Sequence, residues 1–263
     1  MGKDIKSNGF VNVTEVSGDS VTKEQVQRMV HRYQWAGKFC TDKDVLEVAC
    51  GTGQGLGHIL NLSKSLEAGD YSSELLSIPI KYYGERVSLC QFDAQDMPYK
   101  SSSKDIIILF EAIYYIPDPD KFIAECKRIL RPNGVVLIAT ANSDLDDFNP
   151  SPHSYNYYNK EEMYKLFIEF DFHSNFYGYM EINERLLSHK ILRFIKKTVV
   201  SLGLMPKTMA GKKLLKRIVF GELVPMPFEI SGQEFEYYPP VKLERESSDK
   251  NFKVIYCAAT LNE

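Results

Sequence analysis

The sequence predicts an α/β fold: a mainly parallel sheet of seven strands, helices on both faces, an antiparallel last strand, and a basic helical insertion before it. Three observations predict it. Strand-length apolar runs alternate with stretches of helical periodicity, the pattern of βαβ units. The run Asp105–Ala112 is nearly continuously apolar, which suits a strand covered on both faces. VLEVACG (Val45–Gly51) runs into a glycine turn and then a helical stretch.

The elements follow in order. Residues 1–20 read as a loose lead-in. Val21–Phe39 is helical, with Val26, Met29, Val30, Tyr33 and Trp35 among charges. After the strand at 45–51, residues 54–65 continue as helix. Ser65–Ser72 is a second strand ending at an acid, Glu74–Tyr83 a helix, and Val87–Ala94 a third strand. Asp105–Ala112 is the fourth. Pro119–Leu130 is an amphipathic helix stopped by Arg131-Pro132-Asn133-Gly134, and Val135–Ala141 is the fifth strand. Asn175–Met180 and Phe252–Ala259 complete the seven. Between these two the chain reads as partly helical, at 182–201 and 211–220. Residues 1–180 with 250–263 are expected to form one domain, and 181–249 a lid or acceptor-binding insertion.

Composition limits the function classes. A hydrophobic share of 44% and a charged share of 25% exclude disordered and fibrous chains. The net charge of −3 argues against a polycation built for nucleic acid. Five scattered cysteines without a C-x-x-C pair argue against a disulfide or zinc framework and fit a reducing, cytoplasmic setting. No metal-ligating set is read. The acids Asp144, Asp146 and Asp147 fit a solvated turn.

The chemistry concentrates at strand ends. In EVACGTGQG (Glu47–Gly55) the glycines let backbone approach a ligand and take up positive φ. Asp70 closes the next strand, where an acid accepts hydrogen bonds from ribose hydroxyls. Asp93, with Ala94 and Gln95, closes the third, within reach of an adenine amino group. All three lie at the carboxyl edge of the sheet, where open α/β sheets bind ligands. The spacing is not G-x-G-x-x-G and lacks a G-K-[ST] ending, which disfavours NAD and ATP.

With these motifs the chain resembles the class I S-adenosylmethionine (SAM)-dependent methyltransferases of small-molecule type, which have a Rossmann-like fold. The resemblance rests on VLEVACGTGQG, on GDYS (Gly69–Ser72), on FDAQDMPY (Phe92–Tyr99) and on Phe110–Asn142, and it covers roughly residues 30–142. It implies SAM as cofactor and assigns roles. Glu47 would orient the methionine amino group, and Gly51 and Gly53 would face the methionine portion. Asp70 would bind the ribose, with Tyr71 near the adenine and Asp93 and Ala94 at its edge. Glu111 would sit beside the sulfonium and Tyr33 would close over the amino-acid end.

Methyl transfer needs nucleophile, methyl and sulfur in line, and a hydroxyl acceptor also needs a base. The candidates here are Tyr115, at about the place where many relatives carry histidine, and His153, in the loop after the fifth strand; the competing reading of Tyr115, with Tyr114, is a wall of the pocket. A histidine can serve as such a base, and the competing reading of His153 is a surface loop histidine. Residues 185–217 hold ten Lys or Arg and no acid, interleaved with apolar side chains. Such a segment suits an anionic acceptor or peripheral contact with the inner face of a membrane. Together with RYQWAGKF (Arg32–Phe39), it also resembles methyltransferases of bacterial surface glycans, which implies a nucleotide-sugar, lipid-linked glycan or polysaccharide acceptor. The alternatives are a non-catalytic scaffold on the same fold, or a methyltransferase of nucleic acid or protein.

Overall fold

The computed structural model of the chain describes residues 14–146, 148–151, 153–182, 223–244 and 248–262. The basic stretch 185–217, with its two expected helices, lies outside the described residues.

The helix α1 (Lys23–Cys40) follows a short strand β1 (Ser20–Thr22). Thr22 caps it. The Gln25 amide donates to Thr22 Oγ1 at 3.2 Å, and the Thr22 amide donates to Gln25 Oε1 at 2.9 Å. This reciprocal box contributes about 1 kcal/mol. Along the chain then come β2 (Asp44–Val48), α2 (Leu56–Leu60), β3 (Ser65–Asp70), α3 (Ser73–Tyr83), β4 (Ser88–Gln91) and β5 (Lys104–Phe110). The second half has α4 (Pro119–Ile129), β6 (Leu130–Ala141), α5 (Lys160–Ile168), β7 (Phe172–Glu181), β8 (Leu223–Pro225), β9 (Val241–Leu243) and β10 (Phe252–Leu261).

The main sheet has the order β4-β3-β2-β5-β6-β10-β7-β9. The strands β4, β3, β2, β5 and β6 pair in parallel, and β10 is antiparallel to both β6 and β7. The seven expected strands are all present. An eighth, β9, adds to the edge beside β7. It is three residues long and carries no alternation long enough to read from sequence.

Alternation along β5 shows why both faces are covered. Ile106 and Ile108 enter one core with Val26, Met29, Tyr33 and Trp35 of α1. Ile107 and Leu109 enter the other with Phe122 and Ile123 of α4 and Met163 and Phe167 of α5. Two boundaries differ from expectation. The helix α2 is a five-residue piece, because Asn61–Ser63 fold back as turn. Pairing in β6 begins at Leu130, so the Arg131–Gly134 turn lies within the strand as an irregularity, with Asn133 at φ 62°.

Residues 223–244 fall in the expected insertion but pack on the first core. The strand β8 pairs with β1, Met226 and Ile230 are buried in that core, and Gln34 Nε2 donates to the Gly232 and Phe235 carbonyls.

His31 shows how α1 is fixed. Its Nε2 lies 2.7 Å from the Tyr238 carbonyl and its Nδ1 2.8 Å from the Tyr256 hydroxyl. Nε2 therefore donates and Nδ1 accepts, which defines a neutral tautomer. The ring stacks 3.4 Å from Tyr179. Burial holds its pKa down at about 4, against which the Tyr238 carbonyl pulls upward. The unfolded chain thus binds a proton between pH 6.5 and 4 that the folded one refuses. His31 supports the fold above pH 6.5, and that support is lost as pH falls. The stability difference between wild type and His31→Phe should shrink by on the order of 3 kcal/mol from pH 7 to pH 4 in urea titrations. A pH-independent difference would show that His31 is not held neutral.

Candidate functional site

The carboxyl ends of β2, β3, β4 and β5 border a cavity of about 530 Å³, with α1 across its top. The loop after β2 turns through three positive-φ residues, Ala49 at 56°, Gly51 at 57° and Gly53 at 79°. Gly53 has a packing reason as well, since a Cβ there would lie 2.7 Å from Pro79 Cβ. The Gly51 amide donates to Asp70 Oδ2 at 2.8 Å, and the Ser72 amide donates to Asp70 Oδ1 at 2.8 Å. Asp70 thus welds the glycine turn to the end of β3. Each of its oxygens keeps a lone pair. Burial pushes its carboxyl above the usual range, against the pull of the backbone amides of Ser72, Gly51 and Tyr71.

Glu47 is 2% exposed, on the β2 strand just before the turn. The Tyr33 hydroxyl donates to its Oε1 at 2.6 Å. Its Oε2 is buried and has no hydrogen-bond partner among the described residues. Burial pushes its carboxyl up to about 7, while Tyr33 and Arg32 pull the other way. Tyr33 lies flat over the turn: a Cβ on Gly55 would be 2.0 Å from its ring.

Asp93 Oδ1 accepts from the Gln95 amide at 2.8 Å, and Ala94 and Tyr71 stand beside it in the wall. At the end of β5, Glu111 has φ 51°, and its amide donates to the Ala139 carbonyl at 2.8 Å. The Tyr114 hydroxyl donates to its Oε2 at 3.2 Å, and Arg32 Nη1 lies 3.9 Å from its Oε1. Burial raises this carboxyl too, opposed by Arg32 and Arg28.

The structure therefore brings Tyr33, Glu47, Gly51, Asp70, Tyr71, Asp93, Ala94, Glu111 and Tyr115 to one wall. It does not bring Gly53 or His153 there. Gly53 sits behind the turn, where its carbonyl accepts from the Tyr83 hydroxyl at 2.8 Å. His153 is exposed, at φ 110°, on a loop whose neighbours Ser151 and Tyr155 face inward instead. Tyr115 lies 2.6 Å from Ser151 Oγ across hydroxyls. Sequence reading missed Glu15, Arg28 and Arg32, all in the wall. The available signal was the spacing Gln25, Arg28, Arg32, polar residues three and four apart within the buried face of α1.

These groups fit SAM. The unpartnered Glu47 Oε2 asks for a cationic donor, which an α-ammonium supplies. Asp70 can accept from two ribose hydroxyls. The Nε atoms of Arg28 and Arg32 are buried without partners among the described residues, donors suited to a carboxylate. Five carboxylates (Glu15, Glu47, Asp70, Asp93, Glu111) against two guanidiniums make a wall that favours a cation such as a sulfonium.

Comparison with known proteins agrees. Residues 46–138 match the family model described as a methyltransferase domain. A Mycobacterium tuberculosis protein described as a probable S-adenosylmethionine-dependent methyltransferase is 32% identical over 110 residues, 42% of this chain and 40% of that one. A Mycobacterium ulcerans protein described as a probable phthiotriol/phenolphthiotriol dimycocerosates methyltransferase is 35% identical over 103 residues, 37% of this chain and 39% of that one. The chain thus spans about two-fifths of the length of these relatives. Among solved structures, the [4+2]-cyclase SpnF superposes with a TM-score of 0.58 at 12% identity, over 97% of this chain and 91% of that one. That likeness concerns fold alone. The match over residues 46–138, set in the Rossmann-like sheet with its strand-end site, shows that this chain carries a methyltransferase domain.

Proposed function

We propose that the chain transfers the methyl group of SAM to a hydroxyl or amine of a small-molecule or glycan acceptor. The observation that carries this reading is Glu47 Oε2, a buried acceptor without a donor among the described residues, in the wall of a cavity otherwise suited to a nucleoside. When bound, SAM supplies an electrophilic methyl on a sulfonium. The chain's part is to bind, align and dry. Glu47, held by Tyr33, takes the ammonium. Asp70 takes the ribose hydroxyls, and the Asp93–Gln95 loop takes the adenine edge.

The acceptor enters from the side of Tyr114 and Tyr115. Tyr114, Tyr115 and Tyr155 line that end of the cavity, with Tyr157 stacked behind Tyr114 at 4.1 Å, which supports an aromatic wall on the acceptor side. Such a wall suits a ring or apolar face and excludes water. Residues 1–180 with 250–263 then serve as the SAM-binding unit, and of 181–249 the described residues 223–244 pack against it. Among the described residues no helix is long and apolar enough to cross a membrane.

Titration calorimetry with SAM and, separately, NADH tests the reading. SAM should bind and NADH should not. A protein that ignores SAM would refute it.

A further inference from the structure

Glu111, expected beside the sulfonium, is the wall carboxylate to which the ammonium, the ribose and the adenine assign no hydrogen bond. It stands at the end of β5, next to the strand that carries the glycine turn. Its φ of 51° is a conformation that a side chain of this size rarely adopts. Such strain persists where surrounding structure imposes it, and it clusters at functional sites. Here the amide is locked to the Ala139 carbonyl at 2.8 Å, so the next strand imposes the backbone.

The carboxylate is held on one side only. Oε2 accepts the Tyr114 hydroxyl at 3.2 Å. Among the described residues Oε1 accepts no hydrogen bond, and Arg32 stands beyond bonding reach at 3.9 Å. One oxygen is therefore anchored and the other is open to the cavity. The charges around it are mixed. Arg28 and Arg32 on α1 favour the ionised form, and Glu15 from the lead-in opposes it. The phenols of Tyr115, Tyr157 and, from β10, Tyr256 also face it.

Resting on the methyltransferase reading above, we propose that Glu111 is the general base of the reaction and that the acceptor is an alcohol or phenol rather than a carboxylate. The acceptor O–H bond breaks and its proton passes to Glu111 Oε1. The oxygen's electron pair forms the new bond to the methyl carbon. The carbon–sulfur bond breaks with its pair left on sulfur, which becomes a neutral thioether. The proton then leaves Glu111 for solvent. Tyr114 keeps the carboxylate aimed throughout. A carboxylate acceptor needs no base, and it would bring a further negative charge to a wall where five carboxylates already face two guanidiniums.

The test has two arms. In the first, wild type, Glu111→Gln and Glu111→Ala are titrated with SAM and assayed for thioether release with paired probes, 1-decanol against decanoic acid and 4-methylphenol against 4-methylbenzoic acid. Turnover should come from the hydroxyl members. Glu111→Gln, which removes one charge from the wall, should lose less than about tenfold in SAM affinity yet turn over about 100-fold more slowly. Added formate should restore part of the rate to Glu111→Ala and none to wild type. Turnover with the acids alone, an undiminished Glu111→Gln rate, or a loss confined to SAM affinity would each overturn the proposal. A wild type that binds no SAM removes the methyltransferase reading, and this one with it.

The second arm needs no acceptor. Carboxyl-carbon NMR of ¹³C-glutamate-labelled protein, with Glu111→Gln to assign the signal, follows the proton directly. A base must be ionised at pH 8 and must respond to SAM. A Glu111 still in its acid form at pH 9, or one blind to SAM, overturns the proposal whatever the assays show.

Discussion

Glu47→Gln should weaken SAM binding by roughly 10- to 150-fold, which is the about 1.5–3 kcal/mol of one buried charge-assisted hydrogen bond. The same substitution should stabilise the ligand-free protein at pH 8. Both effects follow from one fact: Glu47 is buried and its carboxyl is pushed up to about 7. A folded-state value above the unfolded one gives stability that is complete below about pH 4.5 and is lost as pH rises through about 7. At pH 8 the native protein therefore carries a cost on the order of 1–3 kcal/mol for holding this carboxylate ionised and half-partnered. An ammonium that meets Oε2 relieves it. SAM affinity should accordingly climb by up to about tenfold per unit as pH rises toward 7. It should level off there and fall once the ligand's own amino group deprotonates near pH 8. Glu47→Gln should flatten the rising limb. Calorimetry across pH 5–9 with melting curves at pH 8 decides the matter. A variant that is both less stable without ligand and unchanged in affinity would mean that Glu47 is a structural acid.

Asp70→Ala should damage both fold and site. It removes the acceptor of backbone amides that include Gly51 N and Ser72 N, each bonded at 2.8 Å. Leaving both buried without partners costs about 2–4 kcal/mol of stability. The lost ribose contact adds about 1.5–3 kcal/mol to the binding loss. Asp70→Asn separates the two effects. Its amide keeps one acceptor oxygen, so about half the stability should return, while ribose affinity stays low. SAM affinity unchanged in Asp70→Ala at a temperature where it is folded would show that this strand end does not hold the ribose.

Much of the site was legible because strands and glycine turns write themselves locally. Glu47, Gly51, Asp70 and Asp93 belong to strand ends, and a parallel sheet carries all its strand ends to one edge. What was not legible depends on direction rather than position. The spacing of Gln25, Arg28 and Arg32 sets a polar row within the apolar stripe of α1, but nothing local says that this row borders a cavity. His153 was the titratable group of its loop, but chain path decides which loop residues face inward, and Ser151 and Tyr155 do. Residues 226–235 hold no periodicity, yet they bury Met226 and Ile230 and supply carbonyls to Gln34. Such segments gain their place from tertiary contacts that no short window contains.

The position of β10 between β6 and β7 has a consequence for assembly. The strand β7 joins the main sheet through β10 on one side and, among the described residues, holds only β9 on the other. Residues 172–181 therefore emerge from synthesis with no place in the sheet and wait some seventy residues for 252–261 to supply one. The cavity-bearing strands do not wait. From β2 to β6 every pairing joins neighbours made within the same stretch of chain, so this half can close early while the other edge stays open. During that interval Phe172 and Phe176, fully buried in the finished protein, are without their cover, and that edge is where a stalled chain would aggregate.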